Sequence, residues 1–297
     1  MARKIAIKID VDTKRGYTQG VPNMLDVFQK HGVKASFFFS MGPDNSGKAI
    51  RRIFRKGFLT KMLRTKAPST YGLKTILYGT LLPAPLIVEP NPAPLLRAME
   101  EEHDCGIHCW DHVYWQDKLS HLPEAKIREH LTKACNLFEK VTHQKPHFCG
   151  APGWQVTADS LKVQQEFGFD FCSDVRGYYP FYPVMDGREF SPLQIPGTLL
   201  TMDEVLGIMG VTEENIVDYW LKNCDKQWNV FTIHAEMEGL SKLSILDDFI
   251  TKAKQQKFEF VLLKEGKKVP QIRKCRVYAG TLPGRAGTLA RQSDPIE

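Results

Sequence analysis

Strand-like and helix-like stretches alternate along nearly the whole chain, which predicts an α/β fold on a parallel sheet, open or closed into a barrel. Two details support this. Ile5, Ala6, Ile7 and Ile9 form a short, largely β-branched run of strand length, and the stretch after it has the proline-first, glycine-last pattern of a helix, followed by a second strand. The 297 residues can bury a substantial core, and they suit one large α/β domain over 1–265 better than two small ones.

The first strand, Lys4–Asp12, ends in two carboxylates, Asp10 and Asp12, separated by Val11. VPNMLDVFQKHG is the helix, with Pro22 near its start and Gly32 past its end, and Val33–Ser40 is the second strand. Downstream, a helix over Leu95–Glu102 leads to a strand at His103–His108. Leu122–Val141 carries Ile127, Leu131, Ala134, Leu137, Phe138 and Val141 near helical spacing. His147–Cys149 is a strand, Ala158–Phe167 a helix closed by Gly168, Phe169–Ser173 a strand and Leu193–Ile195 another. Thr212 is expected to cap a helix to about Cys224, Asn229–Ile233 is a strand, Ser241 is expected to cap a helix to about Gln256, and Phe258–Leu263 is the last strand. Residues 266–297 are expected to form a partly flexible tail, loosest from 280, where Gly, Arg and Ser accumulate.

The seven cysteines are odd in number and scattered, with no C-x-x-C pair, so they read as reduced thiols in the cytosol rather than a disulfide framework or zinc knuckle. The N-terminus enters a strand directly, so no signal peptide is expected, and no run of eighteen apolar residues is present to span a bilayer.

The net charge of +6 is concentrated in one place. Between Asp44 and Glu89 there is no acidic residue, but nine basic ones, among them Arg51, Arg52, Arg55, Lys56, Lys61 and Arg64, interleaved with apolar residues such as Phe54 and Phe58. A basic segment with an apolar stripe suits the interface of an anionic membrane. A solvated helix face is the plainer reading. Phosphates attract the same charges, but long aliphatics serve a lipid better than a base, so nucleic acid is not expected as a partner.

Four strands end in a titratable residue. Asp10 and Asp12 close the first, at the end of the sheet where α/β proteins collect ligands, although D-x-D also serves as a turn or cap device. His108 and His112, in GIHCWDH, have the spacing at which two imidazoles and a carboxylate hold a metal with one position left open; histidines also cap helices and fill polar cores. FTIHAE ends in His234, and SDVRG supplies Asp174 with Arg176 two residues on.

In the order KIDVDT, FFSMGPDN, GIHCWDH, GAPGW, SDVRG and FTIHAE, the chain resembles the NodB-type polysaccharide deacetylases, carbohydrate esterase family four, from about residue 4 to residue 262. The resemblance implies a distorted (β/α) barrel of about seven strands; the basic, apolar insertion at about 45–95 after the second strand is unlike soluble deacetylases. The resemblance also implies a divalent ion, zinc, manganese or cobalt, held by Asp12, His108 and His112, with Asp10 as general base and His234 as general acid. Asp174 is the candidate to orient His234, and the loop Gly150, Pro152, Gly153, Trp154 the candidate to receive the oxyanion on a backbone N–H. Family members carry Arg-x-Pro in that loop where this chain has Gly150-Ala151-Pro152, and Arg176 is the candidate to take over the missing charge.

Within the family, the longer phrases resemble a branch that deformylates an amino sugar hanging from a polyprenyl phosphate. The expected setting is therefore peripheral, at the cytoplasmic face of the inner membrane, with no obligate protein partner. A deacetylase of another N-acyl sugar shares every motif. A D-x-D glycosyltransferase leaves His108, His112 and His234 idle, and a non-catalytic lipid-binding module leaves all of the acids and histidines idle.

Overall fold

The computed structural model describes residues 3–49, 72, 74–225 and 227–296. Its strands are β1 (Arg3–Val11), β2 (Ser36–Ser40), β3 (Asp104–Cys109), β4 (Phe148–Cys149), β5 (Phe171–Cys172), β6 (Phe181–Met185), β7 (Arg188–Glu189), β8 (Leu193–Gln194), β9 (Trp228–His234), β10 (Phe258–Val261), β11 (Arg273–Gly280) and β12 (Leu289–Pro295). They form one sheet, in which β1 through β5 follow one another in parallel, β8 lies beside β5, and β9 pairs with the other side of β1.

The chain after β8 closes this sheet on itself. The N–H groups of Thr198 and Leu199 donate to Val230 O of β9 at 3.2 and 3.1 Å, and Val230 N–H donates to Thr198 Oγ1 at 2.9 Å. A ring of β9, β1, β2, β3, β4, β5 and β8 results, a distorted barrel with β6, β7, β10, β11 and β12 attached outside it.

Alternation along β1 decides what faces where. Ile5, Ile7, Ile9 and Val11 pack outward in the large core shared with the helices, whereas Ala6 joins Phe38, Phe148, Phe171, Leu193, Ile195, Trp228 and Val230 in the core inside the ring. Lys8 and Asp10 have the same parity as Ala6, and in register they stand beside Thr232 and His234 of β9. The barrel is therefore apolar at its floor and charged toward the carboxyl ends of its strands.

Most helices fall where the sequence places them. Val21–His31 has Pro22 in its first turn and Gly32 in the left-handed region at φ 59°, and Ala158–Phe167 is closed by Gly168 at φ 70°, conformations that a side chain would resist. Others are corrected. The helix expected from Thr212 begins at Ile216 and that expected from Ser241 at Leu243, and neither Thr212 nor Ser241 is the N-cap residue. β6, β7 and the short helix Met202–Val205 were not anticipated, because their stretches are brief and lack a sustained period.

The largest correction concerns the tail. β10 is not the last strand, because β11 lies parallel to β6 and β12 returns antiparallel to β11. Cys275, Val277, Ala290, Val175 and Phe181 form a buried cluster there, and that apolar content is what orders a segment whose glycine and arginine suggested looseness.

The two arms flanking the basic insertion are joined at its root: Ile87 N–H donates to Gly42 O at 2.9 Å, Asp44 N–H to Pro85 O at 2.9 Å, and Gly47 N–H to Tyr78 O at 3.0 Å. The cations Arg51, Arg52, Arg55, Lys56, Lys61 and Arg64, with Phe54 and Phe58, lie outside the described residues. All seven cysteines are free, and no helix among the described residues is long and apolar enough to cross a membrane.

Deleting residues 282–297 will uncover the Val277 cluster and remove buried Leu289. Urea unfolding should show a loss of at least about 2 kcal/mol, the cost of leaving a single leucine exposed.

Candidate active site

The motif residues meet at the carboxyl ends of the barrel strands. Asp12 follows β1, His108 lies near the end of β3, and His112 opens the helix His112–Lys118, whose N-cap is Asp111. The histidine pair thus converges from a strand and a helix start, rather than from one helix. Asp12 Oδ1 is 3.3 Å from His108 Nε2 and Oδ2 is 3.2 Å from His112 Nε2, and the ligand atoms of all three lie within 4.8 Å of one another. Asp12 Oδ1 is buried without a hydrogen-bond partner, so its lone pairs remain available. Two imidazoles and a carboxylate with that spacing fit a divalent ion with an open position.

Asp10 and His234 stand side by side, as register partners of β1 and β9. Burial alone would raise the Asp10 pKa. Lys8, and after it His108 and His234, outweigh burial and hold the carboxyl below its ordinary value. Lys8 has no exposed surface, and its Nζ donates to Asp10 Oδ1 and lies 4.7 Å from the Phe38 ring centroid and 5.8 Å from that of Trp154. This lysine was missed in the sequence. The available signal was its parity with Asp10 and Asp12 and the oddity of a charge inside an isoleucine-rich strand.

The opposite happens one step up the strand. Burial first, and the Asp10 charge next, lift Asp12 well above the ordinary carboxylate value; Glu236, which accepts from Asp12 N–H, is raised in the same way by burial and by Asp12. Two buried carboxyls lifted by each other form a site that a cation would stabilise. Burial lowers His108 to about 4, leaving it in the neutral form that coordinates metals. Glu238, pushed up to about 8 by burial, accepts the His234 N–H through Oε2 at 2.9 Å. Neither Glu236 nor Glu238 was singled out from the sequence, although both follow His234 closely in HAEME.

Two further candidates have other partners as well. Asp174 is bound to Gln194, whose amide donates to Oδ2 at 2.9 Å and whose Oε1 receives the Asp174 N–H at 3.0 Å. These bonds tie it to the β5–β8 wall through Oδ2 and its N–H, and burial raises it to about 6. Arg176, also buried, donates through Nη2 to Leu199 O at 2.8 Å and pairs with Glu204 Oε2 at 3.2 Å. The cation beside Asp10 is Lys8, because a lysine two residues back on the same face reaches it directly, whereas Arg176 points into a separate cluster.

That cluster organises the loop at Gly150–Trp154. Trp154, at φ 55°, carries the guanidinium carbons of Arg176 and Arg285 at 4.8 and 4.7 Å from its ring centroid, and Arg285 also donates to Gly153 O at 2.8 Å. Within the loop, Gly150 N–H is used by Ile107 O and Trp154 N–H by Ala151 O, while Pro152 has none. The Ala151 N–H is taken by the Asp174 carboxylate, which leaves the Gly153 N–H as the loop's candidate donor to an oxyanion.

Residues 3–172 match the polysaccharide deacetylase family, and the chain belongs to it. Among its relatives are two proteins named as the probable 4-deoxy-4-formamido-L-arabinose-phosphoundecaprenol deformylase. That of Shewanella sediminis is 40% identical over 260 residues, covering 87% of this chain and 84% of its own. That of Wigglesworthia glossinidia brevipalpis is 31% identical over 287 residues, covering 95% and 100%. The fold is shared with a solved structure from Mycobacterium smegmatis described as a polysaccharide deacetylase, at a TM-score of 0.63, 15% identity and 91% coverage of both chains.

Replacing Lys8 with Met leaves burial to act on Asp10 without its main opposing charge, so the Asp10 pKa rises. With Asp10 as the base proposed below, which works only when ionised, the acid limb of the kcat/KM–pH profile should move to higher pH, with Lys8→Arg restoring it. Urea unfolding of Lys8→Met should show a loss of roughly 3–5 kcal/mol, as for other broken buried ion pairs.

Proposed function

We propose that the protein hydrolyses the formamide of 4-deoxy-4-formamido-L-arabinose carried on undecaprenyl phosphate, giving formate and the free amino sugar used in lipid A modification. The observation that carries this is the convergence of Asp12, His108 and His112 beside the Asp10–His234 pair, in a chain 40% identical to a protein bearing that deformylase name.

Asp12, His108 and His112 would hold one divalent ion, and zinc, manganese and cobalt all suit two nitrogens and a carboxylate. When bound, the ion supplies a Lewis acid for the amide carbonyl and lowers the pKa of a water within its reach. Asp10 takes the proton of the attacking water. Its Oδ1 is held by Lys8, so the proton goes to Oδ2, and the depressed pKa keeps that oxygen ionised at neutral pH. As the C–N bond breaks, the departing nitrogen must be protonated, and His234 is the neighbouring group able to deliver that proton. The Gly153 N–H is the loop donor left for the oxygen that gains charge.

A substrate anchored in a bilayer requires the mouth of the barrel to approach the lipid. The acid-free stretch with nine cations between Asp44 and Glu89 suits an anionic surface, and its root at Gly42–Gly47 borders the metal ligands through Asp44, which accepts the Lys14 N–H two residues after Asp12.

Mass spectrometry of formamido-arabinose polyprenyl phosphate incubated with metal-loaded protein should show loss of the formyl group. Chelation should abolish turnover until a divalent ion is returned, and Asp10→Asn should lower kcat by about 100-fold or more. Turnover of the acetyl analogue instead would reassign the substrate.

Anionic liposomes should pull the protein down in a sedimentation assay. Neutralising Arg51, Arg52, Arg55 and Lys56 together, at roughly 1 kcal/mol each, should release it, and unchanged pelleting would count against membrane contact.

A further inference from the structure

His108 lies within β3, at the register shift between Ile107 and Cys109, whereas Asp12 follows β1 and His112 is the first residue of its helix. Two consecutive residues, Asp44 and Asn45 of the GPDN phrase, reach both. Asp44 Oδ2 accepts the N–H of Lys14, two residues past Asp12, at 2.8 Å, and its Oδ1 accepts the N–H and hydroxyl of Ser46 at 3.0 and 2.6 Å. Asn45 Nδ2 donates to Asp111 Oδ2 at 2.6 Å. The other oxygen of Asp111 accepts the Tyr114 N–H at 2.9 Å and caps the helix that His112 opens. Asp44 and Asn45 are 1% and 6% exposed, so water cannot easily replace these bonds. The side chain of Asn45 is confined as well: a Cβ at Gly79, on the returning arm of the insertion, would stand 2.3 Å from Asn45 Oδ1.

We propose that Asp44 and Asn45 are positioning residues that fix the separation of Asp12 from His112, and so set the affinity and geometry of the ion these residues hold. The proposal rests on the metal reading above. It gives the GPDN phrase a task that the catalytic assignment leaves vacant, and it places the root of the insertion in mechanical contact with the metal centre.

The test is cobalt(II) binding to the full chain, followed by calorimetry and by the visible d–d spectrum, with thermal unfolding of the metal-free protein as control. Asn45→Ala should weaken binding roughly tenfold or more, by loosening the Asp111 cap that seats His112, and should alter the spectrum. Asn45→Asp should weaken it further, by setting two carboxylates against each other. The exchange Asn45→Asp with Asp111→Asn restores a donor–acceptor pair and a competent cap, and should recover affinity to within about threefold of the parent, an effect a general loss of fold could not mimic. Wild-type affinity and spectrum in both single variants would overturn the proposal. Cobalt binding unchanged by His112→Ala would overturn the metal reading and this proposal together, whereas tight cobalt binding without deformylation would leave the clamp standing and remove only the substrate.

Discussion

A lysine without exposed surface, facing a carboxylate inside a barrel, is the arrangement on which the rest of the site depends. Taking either charge out of water alone would cost several kcal/mol, so Lys8 and Asp10 are tolerated only as a pair. The rings of Phe38 and Trp154 beside the ammonium exclude water and offer it π-faces. One consequence is chemical, because the Asp10 carboxylate is held ionised and aimed. Another is architectural. The apolar floor formed by Phe148, Phe171 and Trp228 ends where this pair begins, and every residue of the candidate site lies at or above that level.

The fold and the core of the site were legible in the sequence because each reported itself through a local pattern. β1 announced its burial by its isoleucines, and Asp10, Asp12, His108, His112 and His234 stood where strands or their following turns begin to expose a mouth. What stayed hidden depended on pairings over long separations. Arg176 reads as a free cation two residues past Asp174, and only the approach of Glu204 and Leu199 shows where it is spent. Asp174 is tied to Gln194 of the neighbouring strand, a partner that no local pattern announces. The C-terminal hairpin was misjudged for the same reason: β12 is polar along most of its length and is ordered by the edge it meets.

The wall around Trp154 illustrates how distant segments share one loop. Arg176 follows β5 and Arg285 comes from the turn between β11 and β12, yet both meet at a residue whose backbone is in the left-handed region, and Glu204, from the helix after β8, pairs with both. A tryptophan rarely adopts that conformation unless its surroundings hold it. Two guanidiniums over the ring, with a shared carboxylate between them, provide such surroundings.

The pairing of β1 with β9 carries a cost during synthesis. From the time β1 leaves the ribosome until β9 arrives more than two hundred residues later, one side of an isoleucine-rich strand stays without its partner. Bare strands of that composition invite association with other chains, and natural sequences interrupt them with a charge. Lys8 breaks the run between Ile7 and Ile9. The ammonium that later lies against Asp10 is thus also a charge of that kind on the nascent edge.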